Sequence, residues 1–152
     1  MKKIFHYTII CFFVLLLSCN SENSQEVHFL NDALLQETSL DNYKWLVIIP
    51  EVGCNGCIQE GEYFLKQHVD KNDICFVLTN IKSIKLLQQK IGVSLKNRPN
   101  VYIDRNNKFL LPTKNSVYPC VIKKNINRVK TISFQSPETA ALRDLENEIL
   151  NQ

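Results

Sequence analysis

The chain has 152 residues, 45% of them hydrophobic, 22% charged and 9% aromatic, which excludes disordered and collagen-like classes and leaves room for one domain. Formal net charge is +3, but two of the 18 basic residues, Lys2 and Lys3, precede an apolar leader; without them the balance against 15 acidic residues is +1. No basic excess remains to neutralise phosphates, so nucleic acid is excluded as a partner.

Met1-Lys2-Lys3 is followed by an almost wholly apolar run, Ile4 to Leu17, broken only by His6, Tyr7 and Thr8. Its dense part, from Ile9, is short for the roughly 30 Å of bilayer hydrocarbon. It ends in Leu16-Leu17-Ser18-Cys19, and residues 1–18 read as an export signal that is removed. The tetrapeptide resembles a bacterial lipobox. That resemblance implies cleavage before Cys19 and its acylation by fatty acids such as palmitate, each buried methylene adding about 0.8 kcal/mol of membrane affinity. The expected location is the cell envelope, lipid-anchored and facing the periplasm. Asn20, where an aspartate would resemble an inner-membrane retention signal, points to the outer membrane. Asn20 to Glu26 contains no apolar residue, so residues 19–27 are expected to be an acylated cysteine and a flexible tether. The domain then occupies 28–152, about 125 residues, enough for a core without metal or disulfide staples.

Phe29, Leu30, Ala33, Leu34 and Leu35 predict a short helix over 29–38. Trp45-Leu46-Val47-Ile48-Ile49 is continuously apolar and stopped by Pro50, the pattern of a strand buried on both faces. Ile58, Gly61, Phe64, Leu65, His68 and Val69 then fall on one side of a helix. Ile74 to Leu78 is a second buried strand, and Ile81, Ile84, Leu87 and Ile91 a helix that Gly92 stops. Val101 to Ile103 is a short strand before the turn-forming Asp104-Arg105-Asn106-Asn107. Val117 to Lys124 and Arg128 to Phe134 flank Asn125-Ile126-Asn127 as an antiparallel hairpin. Ser136-Pro137-Glu138-Thr139 marks a helix start, with a capping hydroxyl, proline at the first position and an early acid. That helix should reach about Asn151. The alternation predicts an α/β fold, a mixed sheet with helices on both faces.

Cys11 leaves with the signal and Cys19 carries lipid, so four cysteines remain: Cys54, Cys57, Cys75 and Cys120. Cys75 lies in an apolar run and reads as a small core residue. Cys54-Asn55-Gly56-Cys57 is the one close pair, placed between a buried strand and a helix. A cysteine there faces the positive end of the helix dipole and free N–H groups, which favour thiolate. A second cysteine in the first turn can bridge to it, so the pair can cycle by thiol–disulfide exchange. Cys54 would attack and Cys57 resolve. No bound cofactor is implied, because the sulfurs are themselves the redox group.

Two stretches resemble the thioredoxin-like superfamily, especially its membrane-anchored extracytoplasmic members: Trp45 to Cys57 leading into a helix, and Val117-Tyr118-Pro119-Cys120-Val121-Ile122 opening a hairpin. The resemblance covers Tyr43 to Leu150. It implies a thioredoxin-like sheet with a C-terminal hairpin and helix, a cis Pro119 beside the sulfurs, and backbone of Tyr118 offered to an extended substrate. It further implies exchange with thiols or disulfides of exported proteins, a redox partner protein, and a monomer. The sequence departs from the family's pattern in three places: Gly53 precedes Cys54 in place of tryptophan, the inner pair is Asn-Gly, and Ile48 stands where a buried carboxylate often sits. The direction of electron flow is therefore open.

Cys120 reads either as a third thiol near the pair or as a buried strand residue. One Cys-X-X-Cys supplies two of the four ligands a structural zinc needs, so no metal is expected. A copper-binding branch of the superfamily would need a late histidine, and none follows His68. The rival is a lipid-anchored binding or assembly module of the same fold, in which the Cys54–Cys57 disulfide is only a staple.

Overall fold

In a computed structural model that describes residues 21–151, the elements run α1 (Ser21–Leu35), β1 (Trp45–Pro50), α2 (Asn55–His68), β2 (Ile74–Thr79), α3 (Ile84–Ile91), β3 (Val101–Asp104), β4 (Cys120–Asn125), β5 (Arg128–Phe134) and α4 (Ala141–Leu150). Short 3-10 turns occupy Thr38–Leu40 and Lys114–Val117. The expected signal, its cleavage point and Cys19 lie outside the described residues. No described helix is long and apolar enough to cross a membrane.

β1 and β2 are buried at every position, as their unbroken apolar runs require. They pair in parallel from Trp45↔Ile74 to Pro50↔Thr79. β3 adds in parallel to β2, and β4 pairs antiparallel with β1, with Ile48 opposite Cys120. The hairpin partner β5 completes a five-stranded mixed sheet of order β3-β2-β1-β4-β5. This is the α/β arrangement expected for a thioredoxin-like fold, with helices on both faces.

Alternate β1 residues point to opposite faces, so the sheet divides the core in two. Trp45, Val47 and Ile49 pack with Ile58, Phe64 and Leu65 of α2 and Leu142 and Leu145 of α4. Leu46 and Ile48 pack on the other face with Leu30, Ala33 and Leu34 of α1 and with Phe109. Full burial of each such aliphatic side chain contributes about 1.5–3 kcal/mol. The sheet is pinned at its polar margin by Asp104, which accepts from Thr79 Oγ1 (2.9 Å) and from the N–H groups of Lys108 (2.9 Å) and Phe109 (2.8 Å).

Three boundaries differ from the sequence reading. The expected tether is helical from Ser21 onward, and Glu26, inside the polar run, is buried. Its carboxylate accepts from Thr113 Oγ1 and from Asn115 Nδ2 (2.9 Å), a contact across more than eighty residues that local composition does not reveal. The hairpin begins at Cys120, not Val117, because Thr113 caps a 3-10 turn there (Asn115 N to Oγ1, 3.3 Å). The last helix begins at Ala141. Ser136 spends its hydroxyl on a local turn, accepting from the N–H groups of Glu138 and Thr139 (both 3.2 Å). The open helix end is satisfied instead by Gln135 Oε1, which accepts from Leu142 N (3.1 Å).

Candidate functional site

β1 ends at Pro50, and Glu51-Val52-Gly53 carries the chain from the sheet to the N-terminus of α2. Cys54 is the N-cap residue of α2, in extended conformation, and Cys57 lies in its first turn. The two are joined by a disulfide with Cα atoms 5.3 Å apart. Cys54 is half-buried and Cys57 is 6% exposed, so a visiting sulfur reaches Cys54 first. The first turn of α2 carries no acidic residue, which leaves the positive end of the helix dipole uncompensated beside the pair. Glu51, the nearest carboxylate in sequence, is turned away to accept from Lys82 N.

The segment before β4 meets this loop. Cys54 N donates to Val117 O (2.9 Å), and Ile58 N donates to Cys54 O (2.9 Å) as the first helical bond. Gly53 is required for that approach: at φ 157°, a Cβ built there would lie 2.2 Å from Val117 O. Pro119 is buried and packs on α2 one turn beyond Cys57, its Cγ being 3.1 Å from where a Cβ on Gly61 would stand. The contact of Pro119 with the helix that bears the sulfurs is thus at Gly61. Pro119 is not cis. The described residues contain no cis peptide bond, which corrects that expectation. The trans bond accompanies the 3-10 turn, in which Tyr118 N donates to Asn115 O (3.0 Å). Tyr118 is half-buried, with its own N–H taken up by that bond.

Gln135, which the sequence reading passed over, ties three elements together beside the site. Its N–H donates to Pro119 O (2.8 Å), its side-chain amide to Glu60 of α2, and its side-chain oxygen accepts from α4. A groove of about 600 Å³ runs from Gly56 between α2 and α4, past Glu60, Tyr63, His68 and Arg143. His68 stacks on Phe64 with ring centroids 4.2 Å apart, and its Nε2 lies 3.3 Å from Glu146. It is a packed residue.

The other two described cysteines lie across the sheet from α2. Cys75 and Cys120 are free and buried, and both belong to the core on the α1 face, whereas α2 packs on the opposite face. Burial pushes the Cys75 thiol up to about 12. Burial, reinforced by the charge of Glu26, raises Cys120 well above the ordinary thiol range. A raised thiol pKa suppresses the nucleophilic form, so of the two readings of Cys120 its surroundings support the buried strand residue. No group of three or more His, Cys, Asp or Glu among the described residues is arranged to hold a metal ion.

No protein-family model, curated protein or solved structure matches this chain.

Proposed function

We propose that this protein is a lipid-anchored thiol–disulfide oxidoreductase, held in the cell envelope through acylated Cys19 and acting on exported proteins through Cys54 and Cys57. The observation that carries the reading is the position of the pair: Cys54 half-exposed at the N-cap of α2, Cys57 covered in the first turn. Once the bond opens, a Cys54 thiolate at the N-cap can accept from first-turn N–H groups and is favoured by the helix dipole. In the reducing direction, Cys54 S⁻ attacks one sulfur of a client disulfide and expels the other as thiolate. Cys57 S⁻ then attacks the Cys54 sulfur, closing the internal bond and releasing the second client thiol. Two electrons pass to the client, and a redox partner must supply them again by reducing the pair. The same steps reversed oxidise a client dithiol.

The test is capture. Cys57→Ser should accumulate a mixed disulfide with a client in cells, and Cys54→Ser should accumulate none. A Cys57→Ser chain that captures nothing defeats the proposal. A second reading, the staple in a non-catalytic binding or assembly module, is favoured by the clamping of Gly53 and Cys54 against Val117. Counting alkylated thiols after equilibration with glutathione buffers separates the two. A pair that toggles in that range supports exchange, and one that stays closed below about −300 mV supports the staple.

A further inference from the structure

α1 runs antiparallel to β1, and its two ends meet opposite ends of the sheet. Near its start, Glu26 bonds Thr113 and Asn115, in the turn whose Val117 carbonyl holds the Cys54 N–H. Near its end, Asn31 Oδ1 accepts from Val129 N (2.8 Å), beside the β4–β5 turn, and Lys124 Nζ reaches the carbonyl of Leu40. The chain therefore enters the domain at the same end as the disulfide. Because α1 is helical from Ser21, little slack separates the expected anchor from this end. At full stretch the two residues from Cys19 to Ser21 span about 7 Å, and the helix from Ser21 to Glu26 rises about 8 Å. That same end exposes Val52 (55%) and Val117 (36%), apolar residues of the two segments that meet at Cys54.

We infer that the disulfide end of the domain faces the bilayer, so that the exchange partner is a membrane-embedded or membrane-anchored protein whose cysteines lie at the bilayer surface. This rests on the proposed acylation of Cys19 and, for the partner, on the proposed exchange reaction. The short entry keeps Glu26 within about 15 Å of the acylated residue, which favours a partner at the bilayer surface over a freely diffusing one. The exposed valines suit contact with interfacial or apolar surface better than with open water.

The full-length protein, purified from membranes, is placed in phosphatidylethanolamine–phosphatidylglycerol vesicles containing a headgroup nitroxide lipid. Two tryptophan reporters are compared: Val52→Trp at the disulfide end and Ile126→Trp at the tip of the β4–β5 turn, with Trp45 as the buried reference. The expected result is several-fold stronger quenching of Val52→Trp than of Ile126→Trp. Equal quenching, or stronger quenching of Ile126→Trp, overturns the orientation; if Val52→Trp does not fold, strong quenching of Ile126→Trp overturns it alone. A chain whose mass shows no acyl groups at Cys19 overturns the inference together with the anchor. The partner is tested with the native protein and palmitoylated peptide disulfides on the same vesicles. A disulfide held next to the palmitoyl group should exchange at least as fast as one on a long spacer. A several-fold preference for the long spacer overturns the partner assignment, and exchange with neither removes it along with the oxidoreductase reading while the quenching result stands.

Discussion

Gly53 offers the sharpest test of how the site is held. A methyl group added there would lie 2.2 Å from the carbonyl oxygen of Val117 and 2.6 Å from its Cα, both backbone atoms of a clamped turn. Ordinary contact requires about 3.5 Å, so one segment must retreat by about 1 Å. The bond from Cys54 N to Val117 O, now 2.9 Å, cannot survive that retreat unchanged. Overpacking costs about 1–3 kcal/mol, and a lost hydrogen bond about 1 kcal/mol more. Gly53→Ala should therefore destabilise the oxidised protein by about 3 kcal/mol in urea unfolding, read as a lower midpoint at unchanged slope. Gly56→Ala is the control. It stands in the first turn of α2 with no atom within 4 Å of the added methyl, and should be neutral or stabilising by about 0.4–1 kcal/mol. If Gly53→Ala unfolds within about 0.5 kcal/mol of the native chain, the contact with Val117 is not what holds the loop.

Glu26→Ala should cost about 2 kcal/mol in the same assay, because Thr113 and Asn115 lose their acceptor; hydrogen exchange should rise in the turn at Lys114–Val117, and an unchanged protection pattern would contradict the coupling. Cys75 and Cys120 should resist alkylation in the folded protein at pH 8 and react at once in denaturant; rapid labelling of either in the native state would contradict their burial. The raised Cys75 thiol also makes stability fall with alkali. Below about pH 9 both folded and unfolded states keep the proton, and between about pH 9 and about 12 the unfolded chain releases it first. Unfolding at graded pH should show that decline, and Cys75→Ala should reduce it.

The elements that read correctly from sequence are those whose burial is local in origin. Trp45 to Ile49 and Ile74 to Leu78 are apolar at every position, and the structure buries every one of those residues. Gly92 stops α3 as expected, in the left-handed conformation that a β-carbon disfavours. What escaped the reading depends on partners far along the chain. The buried apolar stripe of α1 begins only at Leu30; in the polar stretch before it Glu26 is buried, and the donors to its carboxylate lie at Thr113 and Asn115. Ser136-Pro137 carries every local mark of a helix start, yet the cap of α4 comes from Gln135. At the site, the cysteine pair was legible from spacing and context. The clamp at Val117 was not, because a backbone carbonyl leaves no signature in sequence. A glycine directly before Cys54 was the one available sign that two segments come close.

The placement of Cys75 and Cys120 also bears on oxidative scrambling. Each lies on a strand next to β1, one opposite Leu46 and the other opposite Ile48, so two strand spacings, about 9–10 Å, lie between them. Sulfur bridges require α-carbons within about 7 Å. The sheet itself stands between Cys120 and the helix carrying Cys57. Once the strands are in register, Cys75 and Cys120 cannot bridge each other. Among the described cysteines, the short bridge at Cys54 and Cys57 is thus formed while the two thiols within the sheet stay apart.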